Sequence, residues 1–254
     1  MGSKPRVALG IDVGGTGVKG APVDLRKGTF AEKRLRIPTP RPATPEAVCD
    51  TIAEVVGGFG LPDDAPVGVT IPGPVKKGVV QIAVNLDPSW AGFDAQSHLE
   101  RLLQRPVHVV NDADAAGVGE DAYGAAADQD GIVVVTTLGT GIGTALICDG
   151  VLFPNSELGH IEVGGFDAET RAANSVRERE ELSWEEWAQR LQVYYAALEF
   201  LMSPDLFVVG GGVSKDADQF LPLLDLKTPV VPATLRNKAG IVGAAHLARR
   251  HHGH

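Results

Sequence analysis

Two glycine turns of the same type could each hold a phosphate group. One lies in LGIDVGGTGVKG (9–20) and the other in TTLGTGIGTALICDG (136–150). Backbone N–H groups approach phosphate oxygens closely where no Cβ intervenes, and the hydroxyls of Thr16 and Thr140 add donors. The glycines concerned are Gly14, Gly15 and Gly17 in the first turn and Gly139, Gly141 and Gly143 in the second. A turn of this type taken alone is more often an ordinary tight hairpin than a phosphate site.

The sequence contains neither of two common phosphate-binding motifs. The chain has no G-x-x-x-x-G-K-[ST] string, so it carries no P-loop. In the second turn, Thr144 stands where the dinucleotide fingerprint requires its last glycine. A Rossmann dehydrogenase is therefore rejected as well.

Asp12 directly precedes the first turn, at the end of a strand predicted over 6–11. A carboxylate at this position could hold Mg²⁺ through water, because Mg²⁺ keeps much of its hydration shell beside a phosphate. The alternative is that Asp12 only shapes the turn. Lys19, on the returning strand predicted over 17–23, could reach a phosphate or remain in solvent.

A second polar group could bind the acceptor of a transferred phosphoryl group. Asn111 and Asp112 follow an apolar strand (107–110) directly, and α/β folds build their sites at such strand ends. We predict that Asp112 is the catalytic base: it would orient a hydroxyl and accept its proton late in a loose transition state. Glu157 and His160 supply groups that suit a ring bearing several hydroxyls. The alternative for His160 is a structural histidine.

Two further residues could line the same pocket. They are Gly73, in the Pro-Gly-Pro turn after a predicted strand (67–71), and Asn85, in VNLDPSW. For Asn85 the alternative is a cap on a turn.

These residues must be positioned by alternating strands and helices, which predicts an α/β protein. Additional strands are predicted over 34–37, 132–138, 143–148 and 206–209, and helices over 45–56, 97–103, 113–123, 184–201 and 239–248. The two glycine turns lie about half the chain apart, each between a strand and its returning partner. This spacing predicts an internal duplication with two similar lobes.

Composition excludes several classes of protein. A net charge of −9 over 254 residues argues against a broad nucleic-acid or membrane surface. The two cysteines, Cys49 and Cys148, encode neither a disulfide framework nor a cysteine-based metal site. We find no signal-like start and no apolar stretch of about 18 residues, so we expect a soluble cytoplasmic protein.

The motifs together resemble those of the ROK sugar kinases. LGIDVGGTGVKG, VNDADAAGVGE, TTLGTGIGTALICDGVLFPNSELGH and VVGGGVSK match in order from residue 9 to about 245. The resemblance implies the α/β fold of the actin-like ATPases (ribonuclease H-like), with two lobes flanking a central cleft. It places a small N-terminal lobe at 1–109 plus 240–254 and a large C-terminal lobe at 110–239. It also implies a homodimer.

The resemblance assigns roles to individual residues. Asp112 becomes the base, and the sugar-contacting set is Gly73, Asn85, Asn111, Asp112, Glu157 and His160. The donor-binding set is Asp12, Gly14, Gly15, Thr16, Gly17, Lys19, Gly139, Thr140, Gly141, Gly211, Gly212 and Lys215, with Asp12 near Mg²⁺. Many relatives carry a cysteine-rich zinc motif after E-x-G-H, whereas residues 160–180 contain no cysteine. We therefore expect no structural zinc and assign the sugar-binding glutamate of that motif to Glu169.

Within the family, the chain most resembles the actinobacterial polyphosphate glucokinases. The features that carry this resemblance are the short length, the missing zinc motif, and the segment SWEEWAQRL (183–191) that leads to the third glycine segment (203–215). This implies Mg²⁺-dependent transfer from inorganic polyphosphate, with ATP as a second candidate donor, to the 6-hydroxyl of glucose. A polyanion needs a track of cations, especially on a chain with an acidic balance. The candidates are Lys19, Lys215, Arg236 and Lys238, each of which could instead be a solvated rim residue.

Three alternatives remain. A strictly ATP-dependent glucokinase or another hexose kinase would use the same residues. A sugar-responsive repressor of the family would carry an N-terminal helix-turn-helix domain, whereas the phosphate motif begins at residue 9. A non-catalytic sugar sensor would need neither the base Asp112 nor the carboxylate Asp12.

Overall fold

The computed structural model describes residues 7–83 and 85–251. They form two compact units: one comprises the chain up to Gly119 together with the chain from Lys238, and the other comprises Glu120–Asn237. The lobe boundaries predicted from the sequence stay a prediction.

The first unit is built on a mixed sheet. Its strands are β1 (Val7–Gly14), β2 (Gly17–Asp24), β3 (Thr29–Phe30), β4 (Leu35–Ile37), β5 (Val67–Ile71), β6 (Val75–Lys76), β7 (Val79–Val80) and β8 (Val107–Asn111). The sheet order is β3-β2-β1-β5-β8, and β4 also pairs with β2. β1 and β2 are antiparallel, whereas β5 and β8 run parallel to β1. The strands β6 and β7 pair separately.

The second unit repeats this arrangement. Its strands are β9 (Ile132–Leu138), β10 (Ile142–Cys148), β11 (Val151–Phe153), β12 (Glu162–Val163), β13 (Phe166–Asp167), β14 (Leu206–Gly210) and β15 (Val230–Pro232). The sheet order is β11-β10-β9-β14-β15, with β9 and β10 antiparallel and β14 and β15 parallel to β9. Each unit therefore has a hairpin with a glycine turn at its tip and two parallel strands beside it. This repeat matches the duplication predicted from the spacing of the turns.

The described residues form seven α-helices, and side-chain caps mark the start of α1 and α6. They are α1 (Pro45–Gly57), α2 (Ala95–Leu103), α3 (Asp112–Tyr123), α4 (Glu169–Ala172), α5 (Asn174–Arg179), α6 (Trp184–Met202) and α7 (Ala239–His251). The Thr44 hydroxyl accepts a hydrogen bond from Ala47 N, with Pro45 in the first turn of α1. Ser183 and Glu186 form a reciprocal capping box at the start of α6.

Glycines let α7 lie directly on the first sheet. A Cβ on Gly10 or Gly68 would overlap the carbonyl oxygens of Ile241 and Ala244. The first turn of α7 therefore lies close to Asp12 on β1: a Cβ on Gly240 would be 3.8 Å from Oδ1 of Asp12.

Each unit has its own apolar core. The first core includes the fully buried side chains Ile11, Ile52, Trp90 and Leu99. In the second, α6 buries Trp187, Leu191, Tyr194, Tyr195 and Leu198, and the Trp187 ring meets Phe220 edge-on with 4.9 Å between ring centroids. The helical spacing of apolar residues over 184–201 predicts these five residues on the buried face, and it also predicts Leu201 there, which is instead 62% exposed.

The compact units differ from the predicted lobes at helix α3. Gly119 and Gly243 approach the backbone carbonyls of Ala239 and Ala115, so this part of α3 packs against α7. The first unit therefore extends to Gly119, whereas the predicted small lobe ends at residue 109.

No helix in the described ranges, 7–83 and 85–251, is both long and apolar enough to cross a lipid bilayer.

Candidate functional site

Asp12 lies in a row of polar residues across the first sheet. It is the register partner of Lys19 on β2 and of Thr70 on β5. Its Oδ2 accepts a hydrogen bond from Lys19 Nζ at 3.1 Å, and its Oδ1 accepts one from the buried Thr70 hydroxyl at 3.2 Å. The Asp12 side chain is 27% exposed, so this fixed carboxylate remains accessible to a ligand.

The first glycine turn joins β1 to β2, and donors from the following segment hold its carbonyl groups. The Thr39 hydroxyl donates to Gly14 O. Nη2 of Arg41 donates to Gly15 O at 2.8 Å, and Nη2 of Arg36 donates to Thr16 O at 3.1 Å. A carbonyl oxygen repels an anion, so occupying these oxygens makes the turn a better phosphate site. Gly17 lies directly under the Arg36 guanidinium.

Asn111 and Asp112 mark the junction of β8 and α3. The buried Asn111 side chain accepts a hydrogen bond from Asp114 N at 2.9 Å, as an N-cap residue does. Oδ1 of Asp112 accepts one from Ala113 N at 2.9 Å. Asp112 therefore occupies the first turn of α3, where the helix dipole favours an ionised carboxylate.

Gly73 and Asn85 both lie in the first unit. Gly73 has φ +139°, and a Cβ there would overlap Ile82 O, so the backbone itself requires glycine. The exposed Asn85 has a left-handed backbone conformation (φ 62°). It lies beside the first glycine turn, because a Cβ on Gly15 would be 3.3 Å from the Cβ of Asn85.

The second glycine turn joins β9 to β10 and is held mainly by Glu169 and Ser175. Gly139 N donates to Gly141 O at 2.9 Å, and Ser175 binds the carbonyls of Gly139 and Thr140 through its N–H and hydroxyl. Oε2 of Glu169 accepts a hydrogen bond from Ile142 N at 2.7 Å and lies where a Cβ of Gly141 would be. Glu169, predicted as a sugar ligand, thus lies against the second glycine turn.

The E-x-G-H segment is fixed against β10. The Thr144 hydroxyl accepts a hydrogen bond from Leu158 N at 2.9 Å, and a Cβ on Gly159 would overlap Ile142 O. Glu157 is held in the left-handed region (φ 33°), an uncommon backbone state for a residue with a side chain. Burial raises the pKa of the Glu157 carboxyl, with a smaller opposing effect of His160 and a further raising effect of Glu169.

His160 is paired with a carboxylate. Its Nδ1 lies 2.9 Å from Oδ2 of Asp167, the second of the two residues of β13. This hydrogen bond raises the pKa of the His160 imidazole, and the nearby charges of Glu169 and Glu157 act in the same direction. The pairing orients the ring and leaves Nε2 for a ligand.

The third glycine motif follows β14. Gly211 has φ +85° and lies against Leu138 O, while a Cβ on Gly212 would meet no atom within 4 Å. The exposed Lys215 has its Nζ 3.9 Å from Oδ2 of Asp216. Residues 211, 212 and 215 therefore lie in the same unit as the second glycine turn, at the end of the strand next to β9.

The predicted cations divide between the two units. Lys19 and Lys238 belong to the first unit and Lys215 and Arg236 to the second. Lys238 Nζ lies 5.7 Å from the ring centroid of Phe30, and Arg236 is exposed.

The side chains around Asp12 suit a water-bound Mg²⁺ better than a protein cage. Within 7–83 and 85–251 there is no group of three or more His, Cys, Asp or Glu residues that could hold a metal ion. Each Asp12 oxygen already accepts one hydrogen bond, which leaves one further lone pair apiece. Mg²⁺ is commonly held in this way, by one carboxylate, waters and the substrate's phosphates.

Sequence reasoning missed four contributors: Asp167, Thr70, Arg36 and Arg41. Asp167 follows His160 by seven residues across a two-residue hairpin that has no periodic pattern. The two arginines could have been found from the local excess of positive charge over 26–41.

Comparison with known proteins places the chain among sugar kinases. The ROK family model matches residues 8–171. The chain is 52% identical over 241 residues to a polyphosphate glucokinase of Mycobacterium tuberculosis, covering 94% of this chain and 90% of that protein. It superposes on the inorganic polyphosphate/ATP-glucomannokinase of Arthrobacter sp. strain KM with a TM-score of 0.91 and 53% identity, over 97% of this chain and 100% of that one. A ROK glucokinase of Streptomyces griseus, solved with glucose and AMPPNP, has a TM-score of 0.80 and 26% identity, over 96% and 99% of the two chains.

Proposed function

The chain belongs to the ROK family and has its actin-like fold, and from this premise we propose that it is a polyphosphate-dependent glucokinase. It transfers a phosphoryl group from inorganic polyphosphate, or from ATP as a second donor, to the 6-hydroxyl of glucose. The observation that carries this proposal is the 52% identity, over 94% of the chain, to a polyphosphate glucokinase.

Asp112 is the general base in this proposal. Its carboxylate lies in the first turn of α3, and a carboxylate there can accept the proton of a bound hydroxyl. The 6-hydroxyl oxygen forms a bond to the terminal phosphorus while the bond from that phosphorus to the bridging oxygen breaks. The hydroxyl proton passes to the Asp112 carboxylate, late in the loose transition state.

Glu157 and His160 bind sugar hydroxyls, supported by Asn111, Gly73 and Asn85. A carboxylate accepts from a hydroxyl, and an imidazole paired with Asp167 through Nδ1 presents Nε2 to another. Groups arranged for specific hydroxyls reject sugars that lack them, because the protein groups that a missing hydroxyl would have paired with lose their partner. Glu169 supports this set through the second turn and through its charge near Glu157 and His160.

The two glycine turns and the third glycine motif bind the phosphoryl donor. Lys19 and Lys215 add charge, and Asp12 would hold Mg²⁺ through water. When bound, Mg²⁺ neutralises charge on the transferring phosphates. The kinase relatives imply a phosphoryl transfer of this kind, which typically requires a divalent metal.

We place the enzyme in the cytoplasm as a homodimer that binds neither nucleic acid nor a membrane. The net charge of −9 and the two cysteines support this setting. Burial raises the pKa of the Cys49 thiol to about 12, so that thiol is unreactive.

A donor comparison tests the proposal. The purified protein is assayed with glucose and Mg²⁺, using inorganic polyphosphate in one series and ATP in the other, each freed of the other donor. We expect glucose 6-phosphate in both series, with efficient turnover of polyphosphate. Rapid turnover with ATP but no turnover with polyphosphate would indicate a strictly ATP-dependent glucokinase. If glucose is phosphorylated with neither donor, the protein is instead a sugar sensor.

A further inference from the structure

Positive charge is concentrated in one segment of this acidic protein. Residues 26–41 contain six of the 23 lysines and arginines and a single acidic residue, Glu32. This segment includes β3 and β4, which pair with the outer side of β2 in the first sheet. The cations therefore line the edge of the sheet that carries the first glycine turn.

A row of charged residues connects this edge to Asp12. Asp12 on β1 is the register partner of Lys19 on β2, and Lys19 is the register partner of Arg36 on β4. Register partners in a sheet project to the same face, with neighbouring strands about 4.8 Å apart. The row Asp12, Lys19, Arg36 thus runs from the interior of the sheet to its edge.

Arg36 and Arg41 also touch the turn itself. Their Nη2 atoms donate to Thr16 O at 3.1 Å and to Gly15 O at 2.8 Å. A Cβ on Gly17 would lie 2.8 Å from Arg36 Nε, so the glycine leaves room for the guanidinium. A guanidinium has five N–H donors in a planar fork, and one donation to a carbonyl leaves others that match phosphate oxygens.

Neither arginine is neutralised within the described part of the chain. Lys19 and Lys215 have aspartate partners, whereas no ion pair of Arg36 or Arg41 with a carboxylate occurs among the residues of 7–83 and 85–251. Both arginines are exposed. An unneutralised pair of guanidinium groups at a phosphate turn favours a polyanion.

We propose that Arg36 and Arg41 bind the phosphate units of polyphosphate that follow the reacting unit, and so determine donor specificity. This inference rests on the proposed function. A polyphosphate chain continues past the turn as a series of charged phosphates. In ATP, three phosphates are followed by an uncharged adenosine. The two arginines therefore contribute much more to binding polyphosphate than to binding ATP.

Two of the four predicted cations, Lys19 and Lys238, belong to the same side of the first sheet. Lys238 lies over Phe30, a residue of β3, which pairs with β2 beside β4. Lys215 and Arg236 belong to the other unit. The cation track inferred here is therefore Lys19, Arg36 and Arg41, with Lys238 at its side.

The test compares wild type with R36Q, R41Q and the double variant R36Q/R41Q. R101Q is the matched control, since it removes the same charge from the exposed side of α2 in the same unit. Two readouts are taken on each protein: equilibrium binding of long-chain polyphosphate by calorimetry, and KM for polyphosphate and for ATP at saturating glucose. The charge-retaining pair R36K/R41K separates the loss of charge from the loss of support to the turn.

We expect the double variant to bind polyphosphate about tenfold or more weakly and to raise KM for polyphosphate at least fivefold more than KM for ATP. R101Q should behave as wild type, and R36K/R41K should recover most of the affinity. Equal losses for both donors, or unchanged polyphosphate affinity, would overturn the inference. If the wild-type protein binds polyphosphate through these arginines but does not transfer phosphate from it, the proposed function is refuted. The proposed polyphosphate-binding site would still be supported.

Discussion

Nδ1 of His160 lies 2.9 Å from Oδ2 of Asp167, and this contact joins the E-x-G-H segment to the hairpin of β12 and β13. An imidazole held in this way has a fixed ring orientation, and its charged form is favoured. In the proposed function, Asp167 therefore acts on the bound sugar through His160, as a positioning residue.

Replacing Asp167 by asparagine should lower the pKa of His160 towards its ordinary value of about 6.5, because the largest cause of the raised pKa is removed. NMR titration of the imidazole measures this directly. KM for glucose should rise severalfold. Asp130→Asn, the same change at an exposed position of the unit, is the control. An unchanged His160 pKa in Asp167→Asn would contradict this role.

The same pair makes a signed contribution to stability. A pKa raised on folding stabilises the native state below the unfolded value, and this stability is lost as pH rises through the folded pKa. Wild type should therefore exceed Asp167→Asn in stability most clearly below about pH 6.5, with the difference shrinking at higher pH. Urea denaturation at several pH values measures it, and a difference that grows with pH would be inconsistent.

Asp112→Asn should reduce kcat by about 10²- to 10⁴-fold, the range for losing a general base. The amide keeps the size of the side chain, so the melting temperature should stay close to that of wild type. Asp50→Asn, on the exposed side of α1, is the control and should retain wild-type activity. Full activity in Asp112→Asn would remove the base from the mechanism.

The second glycine turn offers a matched pair of substitutions. A Cβ on Gly141 would displace the Glu169 carboxylate from Ile142 N, whereas a Cβ on Gly139 meets no atom within 4 Å. Gly141→Ala should therefore lose about 1.5–3 kcal/mol of stability, the value of a hydrogen bond to a charged group, and Gly139→Ala much less. Thermal denaturation compares them, and equal stabilities would show that Glu169 does not hold the turn.

Two histidines of the first unit should make the protein sensitive to acid. Burial lowers the pKa of His108 to about 4, with a smaller effect of the stacked His251, and burial lowers that of His246 to about 4. The unfolded chain takes up these protons near pH 6.5 and the folded chain only near 4, so stability falls as pH drops through this interval. His108→Phe, which keeps the stacking, should flatten the pH dependence of the melting temperature relative to wild type. Parallel curves for the two proteins would contradict this.

Sequence reasoning reached the fold through features that are local. Thr44 and Pro45 set the start of α1, the apolar spacing of α6 set its buried face, and the two glycine turns implied the repeated sheet. The family assignment and the proposed activity agree with the comparisons. The sequence gives no sign that the first compact unit extends to Gly119, because this depends on backbone contacts of Gly119 and Gly243 with distant residues.

Parts of the site also depend on pairings that a sequence does not display. Asp167 reaches His160 through a two-residue hairpin, and Arg36 reaches Lys19 only through the register of β2 and β4. Glu169 was chosen as the replacement for a missing motif, and its contact with Ile142 N depends on how α4 meets the second turn. Such contacts arise from tertiary packing, so composition alone could indicate only the excess of charge around Arg36.

The most direct test of phosphoryl transfer from polyphosphate to glucose is identification of the product by ³¹P NMR. The purified protein is incubated with glucose, Mg²⁺ and long-chain polyphosphate, with all nucleotide removed. We predict that phosphate attached to the 6-oxygen of glucose accumulates as the polyphosphate shortens, and that Asp112→Asn forms it at least about 100-fold more slowly. Absence of phosphorylated glucose from a protein that phosphorylates glucose with ATP, or phosphate on a different oxygen, would contradict the account.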